Sequence, residues 1–128
     1  MVTETNKNSK PQPSRTQLIK RAAALVPALR ERAIKTEELR RIPDENIADL
    51  KDAGLWRILR PVRYGGYITD FGAMVDVSIE LGRGCASTAW VYINLISHNW
   101  MLPLWPREAM EEIWGENPDA LIGSTLVF

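Results

Sequence analysis

The sequence predicts an all-α domain of about five helices, and three observations carry that prediction. Apolar residues recur at three- and four-residue spacing through most of the chain, the period of one helix face. Helix punctuation brackets these stretches, with Ser14, Pro43, Asp70 and Pro106 at the starts and Gly54 and Gly115 at the ends. The third observation is Ser87 to Trp105, STAWVYINLISHNWMLPLW, the only long apolar run, which holds three of the five tryptophans and the one histidine.

Residues 1–13 are polar with two prolines and are expected to be a disordered tail. Ser14 and Gln17 then form a capping box, followed by Leu18, Ala22, Leu25, Val26, Leu29 and Ala33 at helical spacing. This first helix should run to about Arg41, with a kink or break at Pro27, which deletes one backbone hydrogen bond. Pro43 and Asp44 suit the start of a second helix, with Ile47 and Leu50 inward and Gly54 as a left-handed cap. LWRILRPVRYGGYITD, with Pro61, Gly65 and Gly66, reads as an irregular wrapping segment whose arginines (Arg57, Arg60, Arg63) are expected to face solvent, with contact to an anionic ligand as the alternative. Asp70 caps a third helix to about Arg83, with Met74, Val75 and Leu81 inward and Gly82 and Gly84 punctuating its end.

Ser87 is expected to cap the fourth, central helix, which Pro103 shortens. On a helical wheel of 100° per residue, this segment is apolar nearly all round, the mark of a buried helix. One arc of roughly 100° on that wheel collects Trp90, Asn94, Ser97, His98, Met101 and Trp105. A buried amide or imidazole left unpaired costs about 1–3 kcal/mol, so this arc needs partners. Other protein groups, ordered water or a ligand in a cleft would all serve. Pro106 opens a short acidic-faced helix, REAMEEIW, closed by Gly115. Residues 120–128 then turn β-like in composition with no second strand to pair, so the chain reads as a fragment ending in the first strand of a missing β domain. The expected division is a tail over 1–13, a helical domain over 14–118, and the start of a truncated β middle domain over 119–128.

Composition narrows the function classes. Lys plus Arg equals Asp plus Glu at 16 each, which leaves no global field for nucleic acid or an anionic membrane. One cysteine cannot form an internal disulfide, and no apolar run matches a membrane span or a signal peptide, so the expected setting is cytoplasmic. One cysteine and one histidine cannot build a structural zinc site, so no metal is expected. Cys85 and His98 lie about 20 Å apart along a helix, too far for a nucleophilic pair, and Cys85 reads as a small buried side chain. Gly82-Arg-Gly84 follows a helix instead of a strand and lacks the third glycine of a dinucleotide fingerprint.

Several phrases in one order, RAAALVPALRERA, LRRIPDENIADLKDAGLWRILRPVRYGG, ASTAW and LWPREAMEEIWGENPDALIGSTL, resemble the N-terminal helical domain of the acyl-CoA dehydrogenase superfamily. The chain looks most like the oxygenase component of its two-component flavin-dependent monooxygenases. That resemblance implies an orthogonal helical bundle followed by a β domain and a four-helix domain. It implies hydroxylation of an aromatic or related small molecule with O2 and reduced flavin, FMN or FAD, delivered by a separate flavin reductase to a homotetramer. By similarity, Trp90 would flank flavin and substrate, and His98 would be the catalytic group facing the reacting centre. Asn94 stands between them on the same arc as part of the pocket wall. The chain alone is then expected to be inactive. An acyl-CoA dehydrogenase or oxidase domain and a stand-alone helical interaction module remain the alternatives.

Overall fold

A computed structural model describes residues 11–67 and 69–124, and helices dominate them: α1 (Arg15–Glu31), α2 (Ala33–Leu39), α3 (Asp44–Asp52), α4 (Phe71–Gly84), α5 (Ala86–Met101) and α6 (Arg107–Met110). Single 3-10 turns occupy Leu55–Arg57, Val62–Tyr64 and Leu102–Leu104, and a π turn over Glu111–Gly115 continues α6. No strand forms among the described residues. The tail expected over 1–13 lies mostly outside them. The strand expected over 119–128 is absent from its described part, where 120–124 run without regular structure, as an extended segment without a ladder partner must. The remainder of that stretch lies outside the described residues.

α1 begins on the expected capping box: the Gln17 amide donates to Ser14 Oγ at 3.2 Å, and the Ser14 amide donates to Gln17 Oε1 at 2.8 Å. Leu18, Ala22, Val26 and Leu29 form its buried stripe. Pro27 does not break the helix; the break comes at Arg32, five residues on. Pro27 stands on the exposed side, where water can take up the released carbonyl. Arg32 is instead drawn out of the helical register by tertiary partners, donating to Asn46 Oδ1 at 2.5 Å and Asp49 Oδ2 at 2.6 Å. Pro43 caps α3 from just outside it, and Gly54 follows with φ +72°, the left-handed conformation its missing side chain allows.

α4 packs on α1 on one side and on α5 on the other. Asp70 caps it, accepting from the Ala73 amide at 2.9 Å. Ala73, Met74, Val77 and Leu81 are buried, whereas Val75 is exposed, one helical position off the expected face. Gly82 and Gly84 lie inside α4, and the terminator is Cys85 in an extended conformation at φ −155°. Gly84 serves close approach: a Cβ there would sit 2.8 Å from both Leu29 Cβ and the Val26 carbonyl oxygen. Cys85, buried as expected, also precedes α5 as its N-cap without a side-chain hydrogen bond, so Ser87 is not the cap.

Two apolar clusters result. The larger joins α1, α3, α4 and α5 through Leu18, Leu29, Leu50, Leu55, Val77 and Tyr92. The smaller gathers Tyr64, Leu102, Met110 and Trp114. Arg60 seals it, contrary to its expected solvent role: it is 4 % exposed, its guanidinium lies 5.1 Å from the Trp114 ring centre, and it donates to the Pro118 and Ala120 carbonyls. This clamp holds the 118–120 backbone against the helices. Ala120 and Ile122 pack on the smaller cluster, and Gly123 lies beside Leu95 of α5.

Candidate functional site

α5 is not buried all round. Its interior face is Thr88, Tyr92, Ile96 and Asn99. Asn99, which the wheel did not single out, is 2 % exposed and donates to the carbonyls of Trp56 at 2.9 Å and Ile58 at 3.0 Å. Tyr92 Oη donates to the Leu55 carbonyl at 2.9 Å, and Thr88 Oγ1 accepts from Asn46 Nδ2 at 3.0 Å. Burial pushes the Tyr92 phenol well above its ordinary pKa, so it stays a neutral donor.

The opposite face carries the sequence-predicted site. Trp90 is 70 % exposed, and Met101 and, past the helix end, Trp105 are exposed as well. The polar groups of this arc find partners on their own helix. Asn94 Nδ2 donates to the Trp90 carbonyl at 2.8 Å, and Ser97 Oγ donates to the Asn94 carbonyl at 2.8 Å. Such local bonds are the usual resort of short polar side chains on a helix.

His98 goes further. Its Nδ1 lies 2.6 Å from the Asn94 carbonyl oxygen, which can only accept, so Nδ1 carries a proton. In the neutral ring Nε2 is then the acceptor, and the Ser124 hydroxyl stands 2.7 Å from it. Ser124 is the member that sequence reasoning missed. It lies 26 residues away in an irregular segment, which the Arg60 clamp and the packing of Ala120 and Ile122 help bring to α5.

The arrangement therefore joins Asn94, His98 and Ser124 directly. Trp90 shares the face but stands two helical turns from His98, about 12 Å along the axis. Its ring walls a cleft of about 590 Å³ with Thr36, Ile42 and Val91, rimmed by Arg40 and Arg41. Chemically, the face offers one flat exposed aromatic surface and one imidazole oriented through its backbone partner. Among the described residues no group of acidic, histidine or cysteine side chains could hold a metal ion, and no helix is long and apolar enough to cross a membrane.

Comparison with known proteins agrees with the helical fold. Residues 15–114 match the family described as acyl-CoA dehydrogenase, N-terminal domain. The FADH(2)-dependent resorcinol hydroxylase oxygenase component of Rhizobium sp. (strain MTP-10005) is 41 % identical over 116 residues, 88 % of this chain and 28 % of that protein. The flavin-dependent monooxygenase oxygenase subunit HsaA of Rhodococcus jostii (strain RHA1) is 40 % identical over 84 % of this chain and 28 % of its own length. The crystal structure of the HsaA monooxygenase from M. tuberculosis superposes with a TM-score of 0.81 at 36 % identity, covering 85 % of this chain and 30 % of that one. The chain thus spans under a third of the length of these relatives, which are named as a hydroxylase oxygenase component and two monooxygenases, the first two of the three as flavin-dependent. With its helical order and its phrases matched across most of its length, the chain belongs to the acyl-CoA dehydrogenase N-terminal domain family.

Proposed function

We propose that this chain forms the helical N-terminal domain of a flavin-dependent monooxygenase that hydroxylates an aromatic small molecule, with the outer face of α5 as one wall of the reaction site. The observation that carries the reading is His98, held at Nδ1 by the Asn94 carbonyl with Nε2 turned to the Ser124 hydroxyl. An imidazole so oriented can take a phenolic proton at Nε2, directly or through Ser124 Oγ, and imidazole is the side chain whose charge changes nearest neutral pH. A phenolate is richer in ring electrons than its phenol and more open to an electrophilic oxygen. The exposed Trp90 face suits a flat heteroaromatic ring, and Asn94 links the two by bonding the Trp90 carbonyl. Reduced flavin, when bound, would supply the two electrons that activate O2, one oxygen atom going to the ring and the other to water.

The relatives support the same direction, since these three are named as a hydroxylase or monooxygenase, two of them as flavin-dependent, and none as a dehydrogenase. On this reading a separate reductase delivers the reduced flavin, FMN or FAD, in the cytoplasm. The working enzyme is a homotetramer, 14–118 is its helical domain, and the rest of the flavin site comes from elements beyond this domain. The test uses the full-length enzyme. His98→Ala should lower hydroxylation about a hundredfold, in the range of one lost acid–base group, while oxygen consumption continues uncoupled from product. Unchanged coupling of oxygen to product would remove His98 from the reaction.

A further inference from the structure

We propose a second binding site, for a small aromatic carboxylate, in the cleft between α3 and the 119–121 segment. The cleft is about 220 Å³, and its apolar wall is Ile47, Trp56 and Leu121. That volume suits a single ring with a head group, since drug-sized pockets run from about 300 Å³ upward. None of the residues assigned to the α5 face lines it, so the proposal does not rest on the flavin reading.

Its charge balance points to an anion. Three cations border the cleft, Lys51, Arg57 and Arg60, against one carboxylate, Asp119. Lys51 and Asp119 pair at 2.8 Å and offset each other. Arg57 is exposed and makes no ion pair among the described residues. Arg60 is buried with two backbone carbonyls and the Trp114 ring as partners, and among the described residues it makes no carboxylate contact and its Nε has no hydrogen-bond partner. A guanidinium withdrawn from water with no ion pair of its own is costly, and a second carboxylate in the adjoining cleft would offset that cost. Burial first and repulsion from Arg57 second lower the Arg60 pKa, and the nearby Asp119 carboxylate raises it without cancelling them, so positive charge is left in excess. The ligand's ring would lie on Trp56 and Leu121, with its carboxylate toward Arg57, where a guanidinium can grip both oxygens.

The probe is benzoate titrated into the full chain, read by the NMR signal of the Trp56 indole N–H, which donates to the Ile47 carbonyl at 3.2 Å in the cleft wall. A saturable shift at millimolar benzoate is expected. Neutral benzamide should bind about tenfold more weakly, and so should benzoate to Arg57→Gln, an exposed change that leaves the packing alone. Asp119→Asn removes the competing carboxylate and frees Lys51, so benzoate should bind about threefold more tightly. Equal shifts with benzoate and benzamide, no loss in Arg57→Gln, or no saturation at all would overturn the proposal. Inorganic phosphate binding as tightly as benzoate would overturn its aromatic part.

Discussion

The two faces of α5 carry similar residues and use them in opposite ways. The inner face spends its polar atoms on other elements: Thr88 on α3 through Asn46, Tyr92 on the Leu55 carbonyl, and Asn99 on the Trp56 and Ile58 carbonyls. The outer face bonds to itself, with Asn94, Ser97 and His98 all reaching carbonyls three or four residues back on the same helix. Only His98 has a second partner off the helix, at Ser124. Asparagine therefore means two different things on one rod: at 99 it is a tie between elements, and at 94 it is a bond within its own helix. What separates the two faces is the direction of the hydrogen bonds, because composition is shared.

The strongest way to break this contrast is at Asn99. Asn99→Ala leaves two buried carbonyls without a donor and should destabilise the fold by about 3 kcal/mol, read from the midpoint of a urea melt. Tyr92→Phe strips one donor from the Leu55 carbonyl and should cost about 1.5 kcal/mol. It also sharpens the comparison through pH. The unfolded phenol ionises near pH 10, while the buried one holds its proton well above that. The unfolded state then binds fewer protons, so Tyr92 makes stability fall as pH rises beyond about 10 and has no such effect below it. In Tyr92→Phe, that share of the alkaline decline should vanish. On the outer face, Trp90→Ala should change stability by no more than about 0.5 kcal/mol, since the ring is largely exposed. A loss as large as that at Asn99 would mean that the two faces are not distinct.

Much of this was readable in the chain itself. The capping box at Ser14, the Asp70 cap, the left-handed Gly54 and the start of the short helix after Pro106 are local devices, decided within a few residues. The shared face of Trp90, Asn94 and His98 was legible for the same reason: they fall four residues apart. What failed was whatever depended on remote partners. Both sides of α5 are rich in apolar and aromatic residues, so periodicity could not say which side the core would claim, and Asn99 went unnoticed. Three arginines at three-residue intervals look like a wet surface, yet Arg60 closes a cluster because Trp114 and the Pro118 and Ala120 carbonyls converge on it. The break at Arg32 instead of Pro27 has the same origin, since Asn46 and Asp49 lie on another helix. Ser124 could not be reached from sequence at all, because its contact with His98 depends on that same closure.

One consequence follows from Cys85, the single non-helical residue between α4 and α5. With one residue as the joint, the direction in which α5 leaves α4 is set there. His98 lies 13 residues out, about 20 Å away, so a 5° change in that direction would carry the imidazole sideways by about 2 Å. Gly84, pressed against Leu29 and the Val26 carbonyl of α1, seats the end of α4 just before the joint. Crowding that seat with one methyl group would displace an imidazole far from where the atom was added.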